Sequence, residues 1–264
     1  MDYEFINSFN KPELNGNWIK DINPINKINM MVVLGISPLI VNNYKFGFAM
    51  VIFVLFLALL ADCFKEFMLV YWKIFVLFGI FLFLVKASFS GGETILFQLW
   101  NIRITKESII TGLNTISIVL AFSGSVVLFS KITPVYQLTY AFEQKGLSHE
   151  SSFIILSSFQ TIIDLGNSAK TIMDSQKARG IETEGNLLQR GKSYIPVMGP
   201  LVLNAISTIE EKSIAMDARA FSAPNKHTFL RELPEISNKE KLFIAVLDVF
   251  LIGIIIWRIV SWII

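Results

Sequence analysis

Apolar positions along this chain gather in long runs with short polar breaks, except in one central stretch where they recur at helical spacing. Residues 28–41 and 46–61 are two apolar runs parted by Asn42-Asn43-Tyr44-Lys45. A membrane-crossing helix needs about 20 apolar residues at about 1.5 Å rise each, so each run alone is marginal. Pro38 and the two asparagines interrupt any single helix through both, since proline removes a backbone donor and clashes with the preceding turn. The pattern predicts a tight helical hairpin. Residues 67–85, 108–129 and 242–264 are three further runs of spanning length. Within 108–129, Ser117, Ala121 and Ser125 recur every four residues, a face that lets membrane helices approach closely. Asp62, Lys65 and Glu66 mark one connecting loop. Residues 86–107, with Gly91-Gly92 at a break, are read as a loop on the other side.

The stretch from Pro134 to Ser222 follows a different rule. Thr133-Pro134 starts a helix that reaches Lys145, and Gly146 suits the position after its end. Ser148 is a cap for the next helix. There Phe153, Leu156, Phe159 and Ile163 recur at helical spacing with polar residues between them, the mark of an amphipathic helix. It is about 30 residues, or roughly 45 Å, and ends at Arg179-Gly180. After a polar connection over 181–193, a second long helix starts near Tyr194. Pro196 and Pro200 fall in its first turns and predict a bend. Ile195, Met198, Val202, Ala205 and Ile209 keep one face apolar, and Pro224 follows as a stop signal.

Composition agrees with this layout. Of 264 residues 53% are hydrophobic and only 17% charged, against roughly 25% in soluble domains. The chain reads as an all-α integral membrane protein, with about five transmembrane helices plus long amphipathic cytoplasmic helices. Four regions follow: a lead-in over 1–27, transmembrane helices over 28–130, the amphipathic domain over 131–240, and a last span over 241–264. The domain 131–240 carries 12 of the 23 Lys and Arg, which places it on the cytoplasmic side. That puts the amino terminus inside and the carboxyl terminus outside, with Trp257 and Trp262 near the outer interface. Residues 1–27 lack the apolar core of a cleaved signal peptide. A net charge of +2 gives no reason to expect nucleic acid. Cys63 is the one cysteine and His149 and His227 the two histidines, so neither a disulfide nor a His/Cys metal site is expected.

One short pattern occurs twice. Gln176-Lys177-Ala178-Arg179-Gly180 ends the first long helix, and Met216-Asp217-Ala218-Arg219-Ala220 ends the second. A cation at a helix end is favoured by about 0.3–1 kcal/mol, so one such ending reads as capping. Two weaken that explanation, because capping tolerates Lys, whereas a flat bidentate contact to a carboxylate needs Arg. Other candidates carry less. Gly191-Lys192-Ser193 resembles the end of a phosphate loop, but Gly185 and Gly191 are separated by five residues, not four, and no strand precedes them. Asp248 lies near one end of the last span, where local solvation or pairing with a neighbouring helix outweighs a proton relay. His149 reads as a solvated helix start, and Arg258 can snorkel outward.

Thr133-Pro134, Gly146-Leu147-Ser148-His149, the two arginine motifs, Pro196 and Pro200 together resemble the transmembrane T component of energy-coupling factor transporters, a family that includes cobalt and nickel permeases. The likeness covers residues 20–262 in layout and 133–222 in detail. Two departures stand out. Ala220 replaces the usual glycine, and of the family's Asp-Pro-Arg-x-Thr-Lys-like pattern only Pro24 and Lys27 remain, so no role is carried onto residues 21–27. The resemblance implies a non-catalytic coupling subunit of an importer. Its partners would be two cytoplasmic ATPases, alike or different, and one membrane-embedded substrate-binding subunit holding a vitamin or metal ion. ATP and Mg would bind the ATPases, with no cofactor on this chain. Ala178, Arg179, Gly180, Ala218, Arg219 and Ala220 would dock on the ATPases. Phe159, Ile163 and Val202 would face the substrate subunit, with Pro196 and Pro200 bending the helix. A permease dedicated to one cobalt or nickel system is the alternative. An intramembrane enzyme would need polar groups converging at membrane depth, which the spans lack. A simple scaffold would not need arginine at both tips.

Overall fold

The computed structural model describes residues 16–89, 94–99, 102–180, 186, 191, 194–221 and 236–263. The first helix, α1, is Pro24–Val41. Asn23 caps it by accepting from the Ile25 N–H, and Pro24 occupies its first turn, where a missing donor costs nothing. It begins four residues before the apolar run because Lys27 in that first turn is fully buried and its ammonium is hydrogen-bonded to protein carbonyls. Asn42 then takes a left-handed conformation, φ 53°, and the Asn43 side chain accepts from the Lys45 N–H to start α2, Tyr44–Leu60. The two asparagines thus end one helix and open the next, as the sequence predicts.

The third apolar run is one continuous span in three parts: α3, Phe64–Ile74, a π-helical stretch, Phe75–Ile80, and α4, Phe81–Phe89. Nothing in the apolar pattern announces the π turn. Its Gly79 sits against α5, where an added Cβ would lie 3.2 Å from Ile116 Cδ1. The span starts at Phe64 rather than Phe67, since Lys65 and Glu66 ride on its exposed first turn and Glu66 pairs with Lys131 at 3.2 Å. Between α4 and α5 lies an antiparallel hairpin of β1, Ile95–Leu99, and β2, Ile102–Thr105, with Leu99 opposite Ile102. No pattern in residues 86–107 announces these strands. Among the described residues the regular elements apart from this hairpin are helical, and the chain is an all-α membrane protein.

Helix α5, Lys106–Ile132, is the axis of this part of the molecule, and α1 to α4 all pack on it. Ser117, Ala121 and Ser125 are buried, as the four-residue spacing predicts. Ser117 and Ser125 meet glycines on other helices. A Cβ at Gly47 of α2 would lie 2.7 Å from Ser117 Cβ, and one at Gly35 of α1 would lie 2.8 Å from Ser125 Oγ. Neither position has room for alanine without movement. The Tyr71 hydroxyl donates to the Leu120 carbonyl at 3.1 Å, and Phe67, Val54, Leu34 and Leu128 fill the core around it.

The last span, α9, is Asn238–Ile263 and packs on α1. Asn29 Nδ2 donates to Asp248 Oδ1 at 2.7 Å, so Asp248 is paired with a neighbouring helix. Trp18 meets Phe243 edge-on, and Phe46 stacks near Phe250. Among the described residues four spans, α1, α3 with α4, α5 and α9, are long and apolar enough to cross a membrane, and α2 is a shorter apolar helix of 17 residues. The chain divides by packing into two units: residues 1–145 with 230–264, and residues 146–229. A short helix, α6, Val135–Gln144, closes the first part of the first unit.

Candidate functional site

The second unit is built from two helices. Helix α7, His149–Ala178, has 30 residues, and Ser148 caps it by accepting from the Ser151 N–H. Helix α8, Ile195–Ala218, has 24 residues, with Pro196 in its first turn and Pro200 inside it. Both bounds lie close to those read from the sequence. The connection over 181–193 and the stop signal at Pro224 lie outside the described residues, save Asn186 and Gly191.

The two helices run antiparallel. Asn204 Nδ2 donates to Ser168 Oγ at 3.2 Å, Lys212 pairs with Asp164 at 3.7 Å, and Phe221 lies 4.7 Å from Phe153 ring to ring. As the position on α7 falls, its partner on α8 rises. Ser157, Thr161, Asp164 and Ser168 face Asn204, Thr208 and Lys212 across a cleft of about 290 Å³. Leu165 of α7 and Ala205, Ile209 and Met216 of α8 line the same cleft, so polar residues of α7 meet a mixed polar and apolar side of α8. Phe159, Ile162 and Ile163 of α7 are left exposed.

Each helix ends in the same way. Arg179 is the last residue of the α7 turn, and Gly180 follows in the left-handed region at φ 86°. The Gly180 N–H donates to the Lys177 carbonyl at 2.9 Å. Arg219 ends α8, and Ala220 follows at φ 55°. The Ala220 N–H donates to Asp217 and the Phe221 N–H to Met216, at 3.0 and 3.1 Å. That pair of bonds is a Schellman motif, in which the residue after the cap is normally glycine. Ala220 takes the conformation without the glycine, at a cost of roughly 1–2 kcal/mol. Ala220 thus holds a backbone geometry that normally goes with glycine.

Phe221 completes the motif by packing on His149 and Phe153 at the start of α7. His149, read from sequence as a solvated start, is instead half-buried against this ring. The missed signal was positional: the second residue beyond a left-handed cap commonly makes an apolar contact.

Ala178, Arg179, Gly180, Ala218, Arg219 and Ala220 are all exposed. Among the described residues, no ion pair joins either guanidinium to a carboxylate. Because the pair is antiparallel, the structure does not bring the two arginines together. Phe221 sits against Phe153, so Arg219 lies level with the turn near Ile155, about 24 residues from Arg179, or roughly 36 Å at about 1.5 Å per residue. Phe159, Ile163 and Val202 are 49%, 58% and 50% exposed, and Pro196 and Pro200 are exposed too. Ile162, Leu203 and Ile206 extend the same exposed apolar surface, whereas Ala205 and Ile209 line the cleft. Among the described residues, no group of three or more His, Cys, Asp and Glu is placed to hold a metal ion.

The family model described as cobalt transport protein matches residues 15–229. A protein of Lactococcus lactis named energy-coupling factor transporter transmembrane protein EcfT is 29% identical over 197 residues, covering 69% of this chain and 73% of its own. A protein of the same name from Streptococcus equi is 29% identical over 253 residues, covering 89% and 90%. One from Clostridium kluyveri is 27% identical, covering 86% and 87%.

Proposed function

The chain belongs to the cobalt transport protein family as a transmembrane T component of the energy-coupling factor kind, and from that premise we propose that it couples cytoplasmic ATP hydrolysis to substrate release from a separate membrane subunit. Arg179 and Arg219 each dock on one ATPase, through bidentate contacts to carboxylates. The observation that carries this reading is the pair of matching, exposed arginine endings at opposite ends of one antiparallel helix pair. Two docking points roughly 36 Å apart suit two partner molecules better than one. When the ATPases close on ATP, the distance between their docking points changes and the helix pair must follow.

The exposed apolar faces of α7 and α8, with Phe159, Ile163 and Val202, form the seat of a small membrane-embedded substrate subunit. The second unit is cytoplasmic, with the amino terminus of the chain inside and its carboxyl terminus outside. This chain binds neither ATP nor cargo and performs no chemistry, so specificity for a vitamin or a metal ion resides in the substrate subunit. The family's description as cobalt transport protein favours a second reading, a permease serving one metal-ion subunit.

Affinity purification from native membranes in mild detergent, followed by mass spectrometry, tests both. ATPases with several unrelated small membrane proteins mean a shared coupling module. One ATPase with one constant membrane partner means a dedicated importer. No ATPase at all overturns the coupling reading.

A further inference from the structure

Three helix ends of the first unit meet in one buried polar cluster that the docking role does not use. Lys27, in the first turn of α1, is fully buried, and its ammonium donates to the Ile132 carbonyl at 2.9 Å and the Lys20 carbonyl at 2.7 Å. Ile132 is the last residue of α5, where the carbonyls have no helical partner and the helix dipole is negative. Glu240, in the first turn of α9, is 4% exposed and accepts from the Asn23 N–H at 2.9 Å and Asn26 Nδ2 at 2.6 Å. A carboxylate there sits at the positive end of the α9 dipole. A cation on one helix end and an anion on another are thus both held by the first turn of α1.

The positions of these ends along the chain give the cluster its meaning. Ile132 is the residue before Thr133-Pro134, where the chain leaves the spans toward α6 and the second unit. Glu240 lies where the chain returns from the second unit and re-enters the spans. We propose that Lys27 and Glu240 are positioning residues of a clamp that holds the outgoing and returning chain as one rigid base for the α7–α8 pair. The inference rests on the coupling role proposed above. In a coupling subunit such a base delivers the motion of the helix pair to the spans. Without it, motion is absorbed where the chain crosses. Buried charges at helix ends suit this better than apolar packing, because hydrogen bonds to fixed carbonyls and amides define position in direction as well as distance.

The test uses the complex purified with whatever ATPases accompany the wild-type chain. Three quantities are measured for Glu240→Ala, Asn26→Ala and Glu240→Gln: co-purification of partners, MgATP hydrolysis, and uptake into cells of radiolabelled cobalt(II) and tritiated water-soluble vitamins. Glu240→Ala is expected to keep its ATPases and their hydrolysis while uptake falls about tenfold, the loss expected of hydrogen bonds to a buried charge. Asn26→Ala, which removes one of the two bonds, loses less. Glu240→Gln keeps an oxygen for both donors and recovers most of the uptake. Wild-type uptake in both alanine variants overturns the clamp. So does a loss of uptake in Asn26→Ala that is matched by an equal loss of partners, which makes the cluster a folding element only. Absence of ATPases from the wild-type preparation is a separate result that fails the coupling reading itself.

Discussion

The two units bury their side chains by opposite rules. In the first, α5 is enclosed by neighbours, and Ser117, Ala121, Leu128 and Phe67 have 2% or less of their surface exposed. In the second, α7 and α8 meet across a cleft of mixed polar and apolar lining, and Ser152, Gln176 and Val197 are the buried residues of those helices. Ile162, Leu203 and Ile206 meanwhile stay open, with 66%, 70% and 49% of their surface exposed. In the first unit apolar exposure faces lipid, which costs nothing. A helix pair that leaves apolar residues such as Ile162 and Leu203 open is shaped for a partner, since exposed apolar patches mark interaction surfaces. The contrast separates a closely packed framework from a helix pair with open apolar faces.

The sharpest way to break this contrast is at the helix tips. Arg179→Ala with Arg219→Ala is expected to abolish uptake while the protein still inserts and the first unit keeps its melting temperature. Truncating one side of a buried charge pair costs about 2–5 kcal/mol. Replacement of both by lysine separates the two explanations of the motif: capping survives it, docking does not. Wild-type uptake in the alanine pair would sink the coupling reading.

Next in size is the response to added volume. Gly47→Leu drives a side chain into Ser117 and should destabilise the first unit by about 3 kcal/mol or more, read as a lower melting temperature in detergent. At Gly166 in α7 nothing lies within 4 Å of an added Cβ. There Gly166→Ala should stabilise the helix by up to about 1 kcal/mol. Equal effects at the two sites would erase the difference in packing between the two units.

The apolar faces come third. Val202→Glu or Ile163→Glu should weaken capture of the substrate subunit more than capture of the ATPases in a pull-down. Unchanged capture of the substrate subunit would move its seat elsewhere. A smaller effect is expected where Ala220 holds a glycine's conformation at φ 55°. Ala220→Gly should raise the stability of the second unit by about 1 kcal/mol, measured by hydrogen exchange at the α8 end. The reverse change, Gly180→Ala at φ 86°, should lower it by a similar amount. Smallest of all is the exposed Lys212–Asp164 pair, at 3.7 Å. Its neutralisation should change stability by less than about 1 kcal/mol.

Much of the fold was legible in the residues because local chemistry dictated it. Asn42-Asn43 had to end one helix and start another. Ser148 had to cap α7, and the arginine endings had to fall where left-handed residues follow. The small-residue stripe on α5 was legible too, but Gly35 and Gly47, which complete it, were not, because a close approach belongs to two helices at once. Residues 21–27 show the same limit more strongly. Read alone they are a polar lead-in with a broken motif. Lys27 becomes a helix-end partner only when the Ile132 carbonyl, 105 positions away, is brought to it.

The sequence by itself therefore determined the helices, their ends and the membrane class, since periodicity, capping and apolar length act within a few turns of chain. Tertiary structure alone decided which faces meet. It set α7 and α8 antiparallel, parted the two arginines, left Phe159, Ile163 and Val202 exposed, and joined three helix ends through Lys27 and Glu240. Those outcomes depend on groups far apart in the chain, and no local pattern encodes the partner that a buried charge or a glycine will find.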